Sequence, residues 1–189
     1  MTKSLLLVGV GGQGTILVTK ILTEGLMEEG YDVKMSEIHG MSQRGGSVTT
    51  QVRFGEKVFS PSIGVGEADV LVSFEKLEAA RYLESLKADG KLIVNTEEIY
   101  PISVLSGAAQ YPDNIMDEIN KKVKNVIAVN ASEMAEKVGM RRSANIVLLG
   151  VTVKALGLEG INWEEKIKHY LPEASHEVNI KAFKEGLNV

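Results

Sequence analysis

The 189-residue chain is 44% hydrophobic and sets 21 Lys and Arg against 25 Asp and Glu, a net charge of −4. That length closes one hydrophobic core, so a single domain over residues 1–189 is expected, and the acidic balance offers no electrostatic footprint for nucleic acid or anionic lipid. Cysteine is absent, which excludes disulfides, thiolate catalysis and a cysteine-ligated iron–sulfur cluster held by this chain.

The first apolar run, Leu5 to Val10, is too short for a signal-peptide core, and no run of about 18 apolar residues follows, so a soluble cytoplasmic protein is expected. Lys3 to Val8 is continuously apolar after its first two residues, as in a strand covered on both faces. Gly9-Val10-Gly11-Gly12-Gln13-Gly14 comes next, and then Ile16, Leu17, Ile21, Leu22 and Leu26 recur at helical spacing, predicting a helix from about Gln13 to Glu29 that stops near Gly30. Gly9, Gly11 and Gly14 fit G-x-G-x-x-G, whose backbone N–H groups at a helix N-terminus can meet a phosphate. Gly12 and Gln13 add a further glycine and an amide inside that turn. Asp32 to Ile38 reads as the second strand, with Glu37 where a dinucleotide-binding fold places its ribose-binding acid.

Glu37 to Val48 is poorly explained as packing. His39, Ser42, Gln43, Arg44, Gly45 and Gly46 bring an imidazole, an amide and a guanidinium beside paired glycines, which let a partner surface approach the backbone closely. Arg44 can offer a five-donor fork to a carboxylate, a phosphate or a carbonyl edge. Val48 to Phe54 alternates as a half-buried strand does. With Gly55-Glu56-Lys57 as the turn and Val58-Phe59-Ser60 as the return, an inserted antiparallel hairpin is expected.

Ala68 to Phe74 predicts a strand, Glu75 to Leu86 a helix interspersed with charge, and Lys91 to Asn95 another strand after an Asp89-Gly90 turn. Thr96 to Lys124 is broken by Pro101 and Pro112, with a short helix over Asp117 to Lys124. Val126 to Val129 is a buried strand, followed by a helix capped by Asn130. Ala144 to Leu156 is apolar except at Asn145, Thr152 and Lys154, so it is a core helix or one that packs on another subunit. Two short amphipathic helices, Trp163 to Tyr170 and His176 to Leu187, close the chain. Alternating strands and helices predict an α/β, Rossmann-like three-layer fold with a mainly parallel sheet.

His39, His169 and His176 are too scattered to form a metal site. Ser42 and Ser47 have no adjacent base, so a serine hydrolase is excluded. Arg141-Arg142 reads as a solvated pair by default, with an interface cap or phosphate contact as the alternative. Met35, Met41 and Met140 read as gap fillers or interface residues.

Gly-Val-Gly-Gly-Gln-Gly with its helix, Ser-Gln-Arg-Gly-Gly-Ser-Val leading into a strand, Ala-Asp-Val-Leu-Val-Ser-Phe-Glu, and Asn179-Ile180-Lys181-Ala182-Phe183-Lys184-Glu185-Gly186 together resemble the gamma-type subunits of 2-oxoacid:ferredoxin oxidoreductases. The wording Ser-Glu-Ile-His-Gly-Met-Ser-Gln-Arg-Gly-Gly is most similar to the beta subunits of indolepyruvate ferredoxin oxidoreductases. The resemblance implies a complex that decarboxylates a 2-oxo acid on thiamine diphosphate, passes electrons through 4Fe-4S clusters to ferredoxin and forms an acyl-coenzyme A. It also implies a large alpha subunit as partner, in an alpha2 beta2 heterotetramer, with the thiamine diphosphate, its magnesium and the clusters on that partner and none on this chain. Asp89-Gly90 lacks the Gly-Asp-Gly and the well-separated Asn of the family's diphosphate signature. No catalytic residue is therefore expected here. The glycine turn and the Glu37-to-Gly46 stretch would contact the partner, the coenzyme A co-substrate, or both. The competing reading is an independent dinucleotide-binding enzyme or sensor using Gly9–Gly14 and Glu37.

Overall fold

The computed structural model describes residues 2–39 and 45–189, with His39 described by its backbone alone. Strand β1 (Lys3–Val10) leads through the glycine turn into helix α1 (Thr15–Glu28). β2 (Asp32–His39) and β3 (Ser47–Gly55) follow, then β4 (Ala68–Ser73), α2 (Lys76–Arg81) and β5 (Leu86–Asn95). A one-turn α3 (Ile102–Leu105), α4 (Ile115–Lys122), β6 (Asn125–Val129) and α5 (Ala131–Lys137) precede the long α6 (Ala144–Leu156). Helices α7 (Trp163–Tyr170) and α8 (His176–Leu187) end the chain.

The six strands form one sheet in the order β2-β3-β1-β4-β5-β6. β1, β4, β5 and β6 are parallel, while β3 runs antiparallel to both β1 and β2. Side chains of β1 point alternately to two apolar layers, as strand geometry requires. Leu5 and Leu7 enter the layer under α1, α6 and α8, and Leu6 and Val8 enter the layer under α2 and α4. Burial on both faces explains why the run has no alternation.

The antiparallel element differs from the expected hairpin. β3 begins one residue early, at Ser47, and Val58 to Ser60 is not a strand: Phe59 is 88% exposed. β3 instead pairs along its whole length with β2 on one side and β1 on the other, Thr50 standing between Glu37 and Leu7. A strand paired on both sides satisfies all its ladder groups, which the three residues after the turn could not have done.

The helix expected over Glu75 to Leu86 stops at Arg81, and a single 3-10 turn leads into β5, which starts five residues early. Leu86 is drawn against Ala68 of β4, and the register then shifts, so β4 advances two residues to Val70 while β5 advances five to Lys91. Asp89-Gly90 is therefore a bulge inside a strand rather than the turn before it. α6 is buried from Asn145 through Val153, enclosed by α1, α5, α8 and β5. Of the two readings of this apolar helix, the structure selects the core one: its faces are covered by this chain. It crosses α8 at two glycines, where a Cβ on Gly150 would stand 2.2 Å from Phe183 O and one on Gly186 would stand 2.0 Å from Val147 O. Among the described residues no helix is long and apolar enough to cross a membrane.

Candidate functional site: the cleft at the strand ends

The helix that follows β1, α1, packs on one face of the sheet and the helix that follows the adjacent β4, α2, on the other, which makes the carboxyl ends of β1 and β4 a topological switch point where open α/β sheets form a crevice. A cleft of about 670 Å³ opens there, walled by Gly11, Gly12, Gly14, Gly45, Asn95 and Asn145. The N-terminal ends of two long helices, α1 and α6, border it, and helix N-termini carry unpaired N–H groups and a partial positive charge. Arg142 lines the cleft and has no ion-pair partner among the described residues. Arg141 pairs with Glu97 at 3.1 Å and Glu136 at 3.3 Å. A second depression, of about 430 Å³, lies between α2, β5 and α4. Its Arg81 and Lys87 are already paired with Glu78 and Asp69, so the cleft is the better candidate.

The amide inside the glycine turn holds it. Gln13 Oε1 accepts from Val10 N–H at 2.8 Å, and Gln13 Nε2 donates to Phe74 O at 2.7 Å. Asn95 Nδ2 donates to the same carbonyl at 3.1 Å, and its Oδ1 accepts from Ala131 N–H at 3.0 Å. Gln13 and Asn95 thus tie the ends of β1, β4 and β5 to the start of α5. Gly14 has φ +78 and caps α1, and a Cβ there would lie 2.4 Å from Asn145 Nδ2. Only glycine satisfies both the left-handed backbone and that approach. Gly9, by contrast, is packed against Phe74 and Thr15.

Of the glycine-loop residues, Gly45 and Gly46 reach the turn. Gly11 N–H donates to Gly46 O at 2.8 Å, and Gly45 N–H donates to Gly11 O at 3.3 Å. The two glycine stretches far apart in sequence therefore form one edge of the cleft. Ser42, Gln43, Arg44 and the side chain of His39 lie outside the described residues. Glu37 is elsewhere: β3 separates its strand from β1, a distance of about 10 Å at ordinary strand spacing. One of its carboxylate oxygens is buried without a hydrogen-bond partner among the described residues, as is the hydroxyl of Thr50 opposite. The ribose-binding role needs the acid on the strand next to the glycine turn, so the dinucleotide reading fails on strand order.

Several cleft residues were not singled out by sequence. Asn145 carried a signal, as an amide at the head of an otherwise apolar helix. Asn95 and Glu97 carried none. Beneath the cleft, Glu75 is 1% exposed and accepts from Glu78 N–H, Ile99 N–H and the Tyr111 hydroxyl. It caps α2 and anchors the segment between β5 and α4. Burial, with the Glu75 carboxylate second, pushes the Tyr111 phenol well above its ordinary range. Glu78 is 3% exposed. Burial raises its carboxyl, and Ser47 and Arg81 pull it back.

Residues 4–189 match the pyruvate ferredoxin/flavodoxin oxidoreductase family. The chain belongs to that family. Indolepyruvate oxidoreductase subunit IorB of Archaeoglobus fulgidus is 40% identical over 100% of this chain and 95% of its own. The crystal structure of the keto/oxoacid ferredoxin oxidoreductase gamma subunit from Geobacter sulfurreducens superposes with a TM-score of 0.71 at 27% identity, covering 98% of this chain and 96% of that one. The 2-oxoglutarate:ferredoxin oxidoreductase of Magnetococcus marinus shares the fold, with a TM-score of 0.75 at 17% identity, and this chain covers 30% of that longer one. Membership in the pyruvate ferredoxin/flavodoxin oxidoreductase family raises the question of its cofactors, and the residues here do not fit them. There is no cysteine to ligate a cluster. Asp89 lies at the bulge within β5 and Asn95 at its carboxyl end, more than about 15 Å apart at strand rise, too far to share one magnesium diphosphate. Among the described residues no group of three His, Cys, Asp or Glu converges.

Proposed function

We propose that this chain is the small, non-thiamine-binding subunit of a 2-oxoacid:ferredoxin oxidoreductase acting on indolepyruvate or another aryl pyruvate. The full-length identity of 40% to an indolepyruvate oxidoreductase subunit carries the reading. A large alpha subunit supplies thiamine diphosphate, magnesium and 4Fe-4S clusters, and the assembly contains two chains of each kind. The reaction releases carbon dioxide, transfers the acyl group to coenzyme A and sends two electrons to ferredoxin. This chain's own contribution is the cleft. The head of α1, the positive end of the α6 dipole and Arg142 suit the phosphates of coenzyme A, because charge-assisted hydrogen bonds favour an anion there. Gly11, Gly12, Gly45 and Gly46 let the ligand or the partner's backbone come close. Arg44, at the boundary between chains, pairs with a carboxylate, a backbone edge or a coenzyme phosphate, with His39, Ser42 and Gln43 as the further contact residues.

Co-expression with the alpha chain tests this. The purified complex should reduce ferredoxin or an artificial acceptor with indolepyruvate faster than with pyruvate or 2-oxoglutarate, and only when coenzyme A is present. The isolated chain should be colourless and inactive. Activity from the isolated chain, or a complex inactive on every 2-oxo acid, refutes the proposal.

A further inference from the structure

We infer that Glu78 is a positioning residue for the cleft: through Ser47 it holds the Gly45–Gly46 edge against the Gly11 turn and so sets the fit of coenzyme A. The inference rests on the coenzyme reading of the cleft given above.

Glu78 is buried on α2 beside apolar Ala79 and beside a second buried carboxylate, Glu75, whose like charge adds to the cost of ionising it. A carboxylate there costs desolvation and is retained only if its oxygens are occupied. Both are. Oε2 accepts from Ser47 Oγ at 2.6 Å, and Oε1 accepts from Arg81 Nη1 at 2.9 Å. The Tyr82 hydroxyl stands 3.3 Å from the same Ser47 Oγ. Arg81 is on the carboxylate's own helix, so the bond to Ser47 is the one that reaches the rest of the fold.

Ser47 is the first residue of β3, and the two residues before it make the backbone exchange with Gly11. A glycine pair has no side chain with which to fix its own position, and its backbone is the freest of any residue type. The Ser47–Glu78 bond therefore supplies, one residue away, the anchor that Gly45 and Gly46 lack. Without it, the paired edge of β3 frays from its first residue, and the Gly11–Gly46 bond is the first to open.

Three variants in the full chain separate the possibilities: Ser47→Ala, Ser47→Thr and Glu78→Gln. Amide hydrogen exchange on the chain alone reads the linkage. In Ser47→Ala the Gly11 and Gly45 amides should exchange roughly tenfold faster, as expected for losing a hydrogen bond to a charged group. The Leu5 to Leu7 amides should not change. Ser47→Thr keeps the hydroxyl and should restore protection. In the complex with the alpha subunit, Ser47→Ala and Glu78→Gln should raise KM for coenzyme A roughly tenfold with little change in kcat, and Ser47→Thr should rescue KM. Unchanged Gly11 and Gly45 exchange overturns the inference, as does faster exchange with a wild-type KM. Uniformly faster exchange across the sheet overturns it too, since Glu78 would then serve stability alone. A wild-type complex without coenzyme-dependent activity counts against the proposed function, and the exchange result still decides the linkage.

Discussion

Replacing Gly186 by Ala probes the crossing on which the helical layer depends. A Cβ at 186 would stand 2.0 Å from Val147 O and 3.0 Å from Gly150 Cα, more than an ångström inside ordinary contact and against backbone, which cannot rotate away. α6 and α8 must therefore separate. A gap of about 1 Å forfeits a quarter to a half of the dispersion energy of each facing atom pair, and the pairs here include buried Val147, Val151, Ala182 and Phe183. Overpacking at the upper end of its usual range costs about 3 kcal/mol, and the better helix propensity of Ala returns about 1 kcal/mol. The expected net loss is about 2 kcal/mol, or a fall in Tm of roughly 4–8 °C for a chain of this size. Urea denaturation should show a lower midpoint with an unchanged slope. Gly150→Ala should cost a similar amount, and the double variant less than the sum, because one separation relieves both clashes. Gly160, whose Cβ would meet nothing within 4 Å, is the control: its Ala variant should be neutral or slightly stabilised. If Gly186→Ala is as stable as the wild type while Gly160→Ala behaves as stated, the close crossing is wrong.

Three further outcomes are expected. Arg44→Ala in the assembled complex should cost about 2 to 5 kcal/mol in partner affinity or coenzyme A binding if Arg44 makes a desolvated charged contact, and Arg44→Lys should rescue poorly because it loses the planar fork; a loss under about 0.5 kcal/mol in both readouts would make Arg44 a solvated bystander. Gly14→Ala should be destabilised by about 1 to 2 kcal/mol for its left-handed backbone, and by more where the Asn145 amide blocks it; pairing it with Asn145→Ala should recover the second part alone, and full recovery or none would contradict the geometry. Tyr111 is held protonated in the fold by burial and by Glu75, its pKa raised from the ordinary value of 10.0, so the unfolded chain loses that proton first and its contribution is complete below that value and falls as pH rises above it. Tyr111→Phe should therefore narrow the alkaline loss of stability measured by denaturation against pH, and an unchanged profile would show that the phenol is not held in this way.

Much of the fold was legible in the residues themselves. The strand, glycine turn and helix at the amino terminus, the Asn130 cap, whose side chain accepts from Glu133 N–H at 3.1 Å, and the two closing helices all follow from short-range signals. A turn or a cap is built from neighbours in sequence, so its chemistry is written locally. Both glycine stretches were legible as candidate contact residues, and the structure adds what no local signal showed, that Gly45 and Gly46 pair with Gly11. What resisted reading was longer in range. Alternation over Val48 to Phe54 marks a half-buried strand, and it is the same pattern whichever strand lies alongside, because ladder bonds join backbone atoms common to all residues. The sequence could not show that β3 would lie between β1 and β2, and that single placement removes Glu37 from the glycine turn.

The sequence by itself determined the class of fold, which stretches are apolar enough to be buried, the absence of cluster ligands and, by its wording, the family. Tertiary structure decided which polar residues matter. Glu75 and Glu78 fall in a stretch that read only as a helix interspersed with charge, yet both are buried, Glu75 as the cap of α2 and Glu78 against Ser47 of β3. Asn95 and Asn145 become cleft residues only when β5 ends and α6 begins beside the turn of β1. Periodicity records how a side chain is placed on its own element, whereas burial and hydrogen-bond partners depend on what other elements bring to it, and that information is held in contacts between residues far apart in the chain.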